Sequence, residues 1–183
     1  MSDGAGRLTS PTGLRVRRRL RSLALLESLN IPLQAGVWFG VVGVPVTAAN
    51  TVGSALFALL LVVGAGYWAA KLGQISAPGA PLPWAGGFAA FRGACVLLLA
   101  AGLVFIAREV VADPGTAAWP GLGFGLFAVL EYVNYFRVQL MYDTVEDLRY
   151  LRSHGLRRAH LARDLAVHRK AVYARKQETV NSR

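Results

Sequence analysis

The chain holds a single cysteine, Cys95. No intrachain disulfide can close, which excludes a disulfide-stapled secreted scaffold. Charge is scarce as well: Asp, Glu, Lys and Arg make up 16% of residues, against roughly 25% in an ordinary soluble domain. That scarcity, in an apolar chain, excludes a disordered protein. Acids are the rarest part, ten against twenty Lys and Arg. From Ile31 to Ala70 there is no charged residue at all. Missing too are a His/Cys cluster with metal-ligand spacing, a glycine-rich phosphate loop and a recognisable nucleophile–base motif. Neither a metal nor a cofactor is expected, and most enzyme classes lose their footing.

What is present is apolar surface. Residues AVILMFWYC form 54% of the chain before its 20 glycines are counted, where a soluble domain reaches about 45–50% with glycine included. This predicts a small integral membrane protein. The net charge of +10 is partitioned. Residues 1–26 carry six Arg against Asp3, and residues 142–183 carry ten Lys/Arg against five acids. Residues 27–141 balance to zero, with Lys71, Arg92, Arg108 and Arg137 against Glu27, Glu109, Asp113 and Glu131. A neutral apolar body lies between two basic tails.

The uncharged stretch is too long for one span of about 20 residues, and Pro45–Thr51 offers a break. The expected fold is all-α: a four-helix integral membrane bundle with spans near 29–47, 52–70, 85–107 and 118–140. A basic cytoplasmic tail (1–26) precedes it, and a basic tail (142–183) of amphipathic cytoplasmic helices follows. The Pro/Gly-rich run from Ser76 to Pro83 separates spans 2 and 3, and Pro32 is expected in the first turn of span 1, where it causes no kink. An even span count puts both tails and the 71–84 loop on one side, where 17 Lys/Arg gather against Arg108 on the other. The positive-inside rule then makes both termini cytoplasmic. The excess of Arg over Lys, with abundant Ala and Gly, suggests a bacterial chain and hence the bacterial plasma membrane. A cleaved signal is not expected, because Glu27, Asn30 and Gln34 lie between or inside the basic block and the apolar run.

Polar residues inside the spans are patterned. With Glu131 at 0° on a helical wheel, Tyr142, Tyr135, Gln139 and Asn134 fall within 80° of it, while Val133, Phe136 and Leu140 oppose them. In span 1, Glu27, Asn30, Gln34 and Trp38 share one face. At 1.5 Å per residue, Arg92 lies roughly 11 Å and Glu131 roughly 13 Å inside the cytoplasmic boundary. Matching depth and opposite sign predict an Arg92–Glu131 pair, since a lone charge there costs about 2.5–3.5 kcal/mol. Glu27, Asn30, Gln34, Arg92, Glu131, Asn134, Tyr135 and Gln139 are therefore the candidate site. They form either a clasp fixing helix register or a cytoplasm-facing cavity that binds a ligand, a lipid head group or a partner protein without catalysis. The alternative is a small membrane enzyme acting on a lipid or isoprenoid at the same cluster.

Gly36/Gly40 and Gly121/Gly125, four apart, predict close helix approach, within the bundle or in a homo-oligomer. Asp143 followed by Glu146 resembles a capping box. A helix is expected from Arg157 to Lys176, with Leu161, Leu165 and Val172 as a narrow seam and His154, His160 and His168 on a solvated face. Residues 155–183 carry a net charge of +6, which suits docking on the anionic inner leaflet. The seam is the alternative route to a protein partner. Nucleic acid is not an expected partner, because no recognised fold or aromatic interleaving accompanies the charge. Residues 1–13, rich in Gly, Ser and Thr, are expected to be disordered.

Overall fold

A computed structural model describes residues 11–77, 79–115, 117–141, 149, 151–153 and 155–181. Of these, 82% are helical and none is in a strand, as the all-α expectation requires. The helices are α1 (Pro11–Ala35), α2 (Ala48–Ser76), α3 (Ala85–Ala112), α4 (Trp119–Phe136) and α5 (His160–Asn181), with a π-helical segment over Gly36–Val41. Two of them, α2 and α3, are long and apolar enough to cross a membrane by length and composition. The Asp143–Glu146 box, Tyr142 and His154 lie outside the described residues.

The expected first span is built differently. One helix runs from Pro11 through the arginine block and into the apolar run, so residues 11–13 are helical and Pro32 lies deep inside α1. Proline has no N–H for the carbonyl four residues back, a common cause of helix distortion. Four residues after Pro32 the coil widens: Val42 N–H donates to Val37 O at 2.8 Å and Val44 N–H to Trp38 O at 2.9 Å. The chain then leaves the helix through Gly43 at φ +76°. The expected span over 118–140 is also shorter. α4 stops at Phe136, and residues 137–139 pair antiparallel with 157–159 through Gln139 N–H to Arg157 O (2.8 Å) and Ala159 N–H to Arg137 O (3.1 Å).

α2 is the hub, packed on α1, α3 and α4. Its start is capped by Thr47, whose Oγ1 accepts from Asn50 N–H at 3.2 Å. Asn50 itself is fully buried. Its Nδ2 donates to Pro45 O (2.8 Å) and Ala117 O (2.7 Å), and its Oδ1 accepts from Gly121 N–H (2.6 Å). One side chain thus ties the α1–α2 turn, the α3–α4 turn and the start of α4 together. A step further in, Gly53 of α2 meets the Gly121 backbone with no room for a Cβ. Gly125 accommodates Leu103 and Ile106 of α3. The small-residue pattern of α4 therefore serves contacts within the chain, whereas Gly36 and Gly40 face open space.

Below these contacts runs a core of Leu56, Leu60, Val63, Tyr67, Cys95, Leu99, Ala128 and Tyr135. Leu161 and Leu165 of α5 join it. Two of the three seam residues are thereby buried against the chain's own bundle, while Val172 stays exposed.

Candidate functional site

The fold-back of α5 encloses a cavity of about 350 Å³ at the basic end of the bundle. α1 supplies Arg19, Leu20 and Glu27, α2 supplies Tyr67 and Trp68, and α4 with its exit supplies Asn134, Tyr135 and Gln139. Arg157, His160 and Leu161 close it from the C-terminal side. Of the polar stripe expected on α4, Asn134, Tyr135 and Gln139 line this space and Glu27 faces it from α1, whereas Glu131 does not line it.

At its inner end Tyr135 Oη donates to Glu27 Oε1 at 2.5 Å. Tyr135 reaches this position because Gly64 of α2 has no side chain, so the phenol occupies the space a Cβ would take. Glu131 flanks the same phenol and Asn134, and its buried Oε2 has no hydrogen-bond partner among the described residues. Gln139 Nε2 donates to Met141 O at 2.9 Å, and its buried Oε1 has no donor among the described residues. This layer is rich in acceptors and short of donors.

Tyr67 belongs to a second polar layer. Its Oη donates to Asp164 Oδ2 at 2.9 Å, and Lys71 Nζ bridges the same carboxylate at 2.8 and 3.0 Å. The ion pair is partly buried, with about a quarter of each side chain or less exposed. Both charges are isolated in sequence: Lys71 is the only charge between Ile31 and Phe91, and Asp164 the only acid between Arg157 and Lys176. That isolation is the signal of the pair that the sequence carries.

The expected Arg92–Glu131 pair is not formed. Arg92 lines a separate groove with Arg158, His168 and Arg169. Depth along a helix does not determine which neighbour stands opposite. Arg92 shares the azimuth of buried Cys95 and Leu99 within about 60° by the helical repeat. At its level, the opposing element is α5 rather than α4. Asn30 and Gln34 also lie outside the cavity. They form a ladder along α1, with Gln34 Nε2 donating to Asn30 Oδ1 (3.2 Å) and Trp38 Nε1 donating to Gln34 Oε1 (2.6 Å). Trp38 then packs edge-on against Phe124 of α4 at 5.7 Å.

His160 departs from the solvated face expected of it. Its ring lies 6.1 Å from the Trp68 indole and Nδ1 is 2.7 Å from Arg163 Nη2. Burial lowers its pKa from 6.5 to about 4, assisted by the positive charges of Arg163, Arg157 and Lys71 and opposed by Asp164. The consequence has a definite sign. Between these two values the released histidine binds a proton that the docked one excludes, so docking weakens as pH falls from 6.5 to 4. The full shift corresponds to about 3 kcal/mol, and solvent at the exposed side of the ring reduces it to roughly 1–2 kcal/mol. Trp68 emission followed from pH 7 to 4 should report release of α5, and His160→Gln should flatten that window. An unchanged profile in the variant would remove His160 from the cause.

Compared with protein-family models, curated proteins and solved structures, the chain matches none.

Proposed function

We propose that this is a multi-pass protein of the bacterial plasma membrane, with both termini cytoplasmic, that holds one lipid-like molecule by its head group. The membrane reading is supported by α3, whose most apolar stretch is only 22% buried within the chain. Leu97, Leu98, Val104 and Val111 are exposed on it, as acyl chains would have them. The orientation rests on the Lys/Arg partition. Fluorescent reporters that are silent outside the cytoplasm should light at either terminus, and an expressed but dark fusion would overturn it. The exposed distal half of α5, with Arg169, Lys170, Arg175 and Lys176, is proposed to lie on the anionic inner leaflet.

The observation that carries the ligand reading is the cavity itself. Its volume is that of a small-molecule site, its walls are mostly apolar, and it is lined by Glu27, Tyr135 and Gln139 as well as by Arg19 and Arg157. Glu27 and Gln139 Oε1 call for hydrogen-bond donors, and Arg19 and Arg157 favour a phosphate. A head group carrying both a phosphodiester and hydroxyl or ammonium donors satisfies them together. No bond is made or broken in this role.

Native mass spectrometry of protein extracted in mild detergent should show one retained lipid per chain. Glu27→Gln should lower its occupancy by roughly tenfold or more, since a hydrogen bond to a charged group contributes about 1.5–3 kcal/mol. Tyr135→Phe should lower it less. Equal occupancy in wild type and Glu27→Gln would sink the assignment.

A further inference from the structure

The groove that receives Arg92 is separate from the Glu27–Tyr135 cavity and shares no lining residue with it. It measures about 270 Å³ and runs between α3 and α5. Arg92, Arg158 and Arg169 face it together with His168, and no carboxylate of the described residues lines it. None of the three guanidinium groups has an ion pair or side-chain hydrogen bond among the described residues. Its floor is apolar, made by Ala89, Ala162 and Leu165.

Three like charges converging without a counter-charge repel one another, and an anion seated among them removes that cost. Guanidinium groups bind phosphate oxygens in a bidentate manner, and several can share one phosphate. The location selects the kind of phosphate. Arg92 lies seven residues into a helix apolar enough to cross a membrane, roughly 11 Å from its start at 1.5 Å per residue. One turn further along the same face, the exposed Val96 begins an apolar flank. A phosphate held at Arg92 would have acyl chains running along α3. Tyr173, exposed at the groove edge, has the amphipathic character of an interfacial aromatic.

We propose that Arg92, Arg158 and Arg169 form a discrete phosphate clamp for one anionic phospholipid, seated between a membrane-crossing helix and the folded-back C-terminal helix. This differs from diffuse attraction of the basic tail, in which position does not matter and only total charge counts. It also gives α5 a lipid-dependent hold on the bundle in addition to the Lys71–Asp164 pair.

The test titrates the full chain in detergent with short-chain phosphatidylglycerol, phosphatidylcholine and inorganic phosphate. The wild type should bind one phosphatidylglycerol per chain in addition to the lipid retained in the Glu27–Tyr135 cavity, and prefer it to phosphatidylcholine at this added site. Replacing Arg92, Arg158 and Arg169 together with Gln should weaken that binding by about tenfold or more. Replacing Lys170, Arg175 and Lys176 with Gln removes the same charge outside the groove and should weaken it by no more than about threefold. All six side chains are exposed, so neither triple variant removes core packing. The Lys triple variant at the groove positions should recover part of the binding. Equal losses in the two Gln variants, or no preference over phosphatidylcholine, would overturn the clamp. Displacement of the lipid by equimolar inorganic phosphate would overturn the lipid assignment.

Discussion

Asn50→Leu should destabilise the bundle by about 3–5 kcal/mol, measured as a shift in the denaturant or SDS midpoint. Leu keeps the branched shape, but its methyl groups need about 3.5 Å where the amide atoms stand 2.6–2.8 Å from their partners, so some overpacking adds to the loss. Beyond that, Pro45 O, Ala117 O and Gly121 N–H all lose their partner at once. Each buried group left unpaired costs roughly 1–3 kcal/mol, and the backbone relaxes to recover part of the sum. Asn50→Asp keeps the acceptor for Gly121 but turns a carboxylate toward two carbonyl oxygens, so it should be no better tolerated. A loss below about 1 kcal/mol in Asn50→Leu would mean that these backbone groups find other partners and that the residue is not the tie described above.

Adding one methyl group at Gly53 or Gly121 should cost about 3 kcal/mol or more, at the upper end of overpacking effects. At Gly121 the new Cβ would stand 2.5 Å from Ala49 O and 2.9 Å from Asn50 N, and at Gly53 it would run into the Gly121 carbonyl. The obstacle is backbone in both cases, which cannot rotate away as a side-chain tip can. α2 and α4 must separate, and the Asn50–Gly121 hydrogen bond goes with them. One separation relieves both clashes, so the double variant should cost less than the sum of the two. Gly123→Ala is the control. Nothing lies within 4 Å of its Cβ position, so the same change should be neutral or stabilise by up to about 1 kcal/mol through helix propensity. Similar losses at Gly121 and Gly123 would show that the close approach of α2 and α4 is not what Gly121 provides.

The sequence was informative wherever a property lies along the chain. Apolar content and charge partition led to the helical class, and the 3.6-residue repeat brought Asn134, Tyr135 and Gln139 to one space with Glu27. It failed where the outcome depends on which element stands opposite. Arg92 has the depth of Glu131, yet faces α5, because nothing in a helical wheel tells where a folded-back tail will lie. The same fold-back removes His160 from solvent and buries Leu161 and Leu165. Asn50 read as part of a break between spans, since Asn is common in turns. Its three long-range partners could not be inferred from local pattern. Pro32 lies inside the helix for a plainer reason: α1 begins at Pro11, ahead of the arginine block, where helix formers such as Leu and Arg carry the helix well before the apolar run.

A density map of the protein extracted directly from its membrane tests the central claim most directly. A bound head group would appear in the cavity between Glu27, Tyr135, Arg157 and His160, within hydrogen-bond distance of the Glu27 carboxylate. Density there in the wild type that disappears in Glu27→Gln, with Tyr135 unmoved, is the predicted result. A cavity collapsed onto its own side chains, or filled identically in the variant, would contradict it.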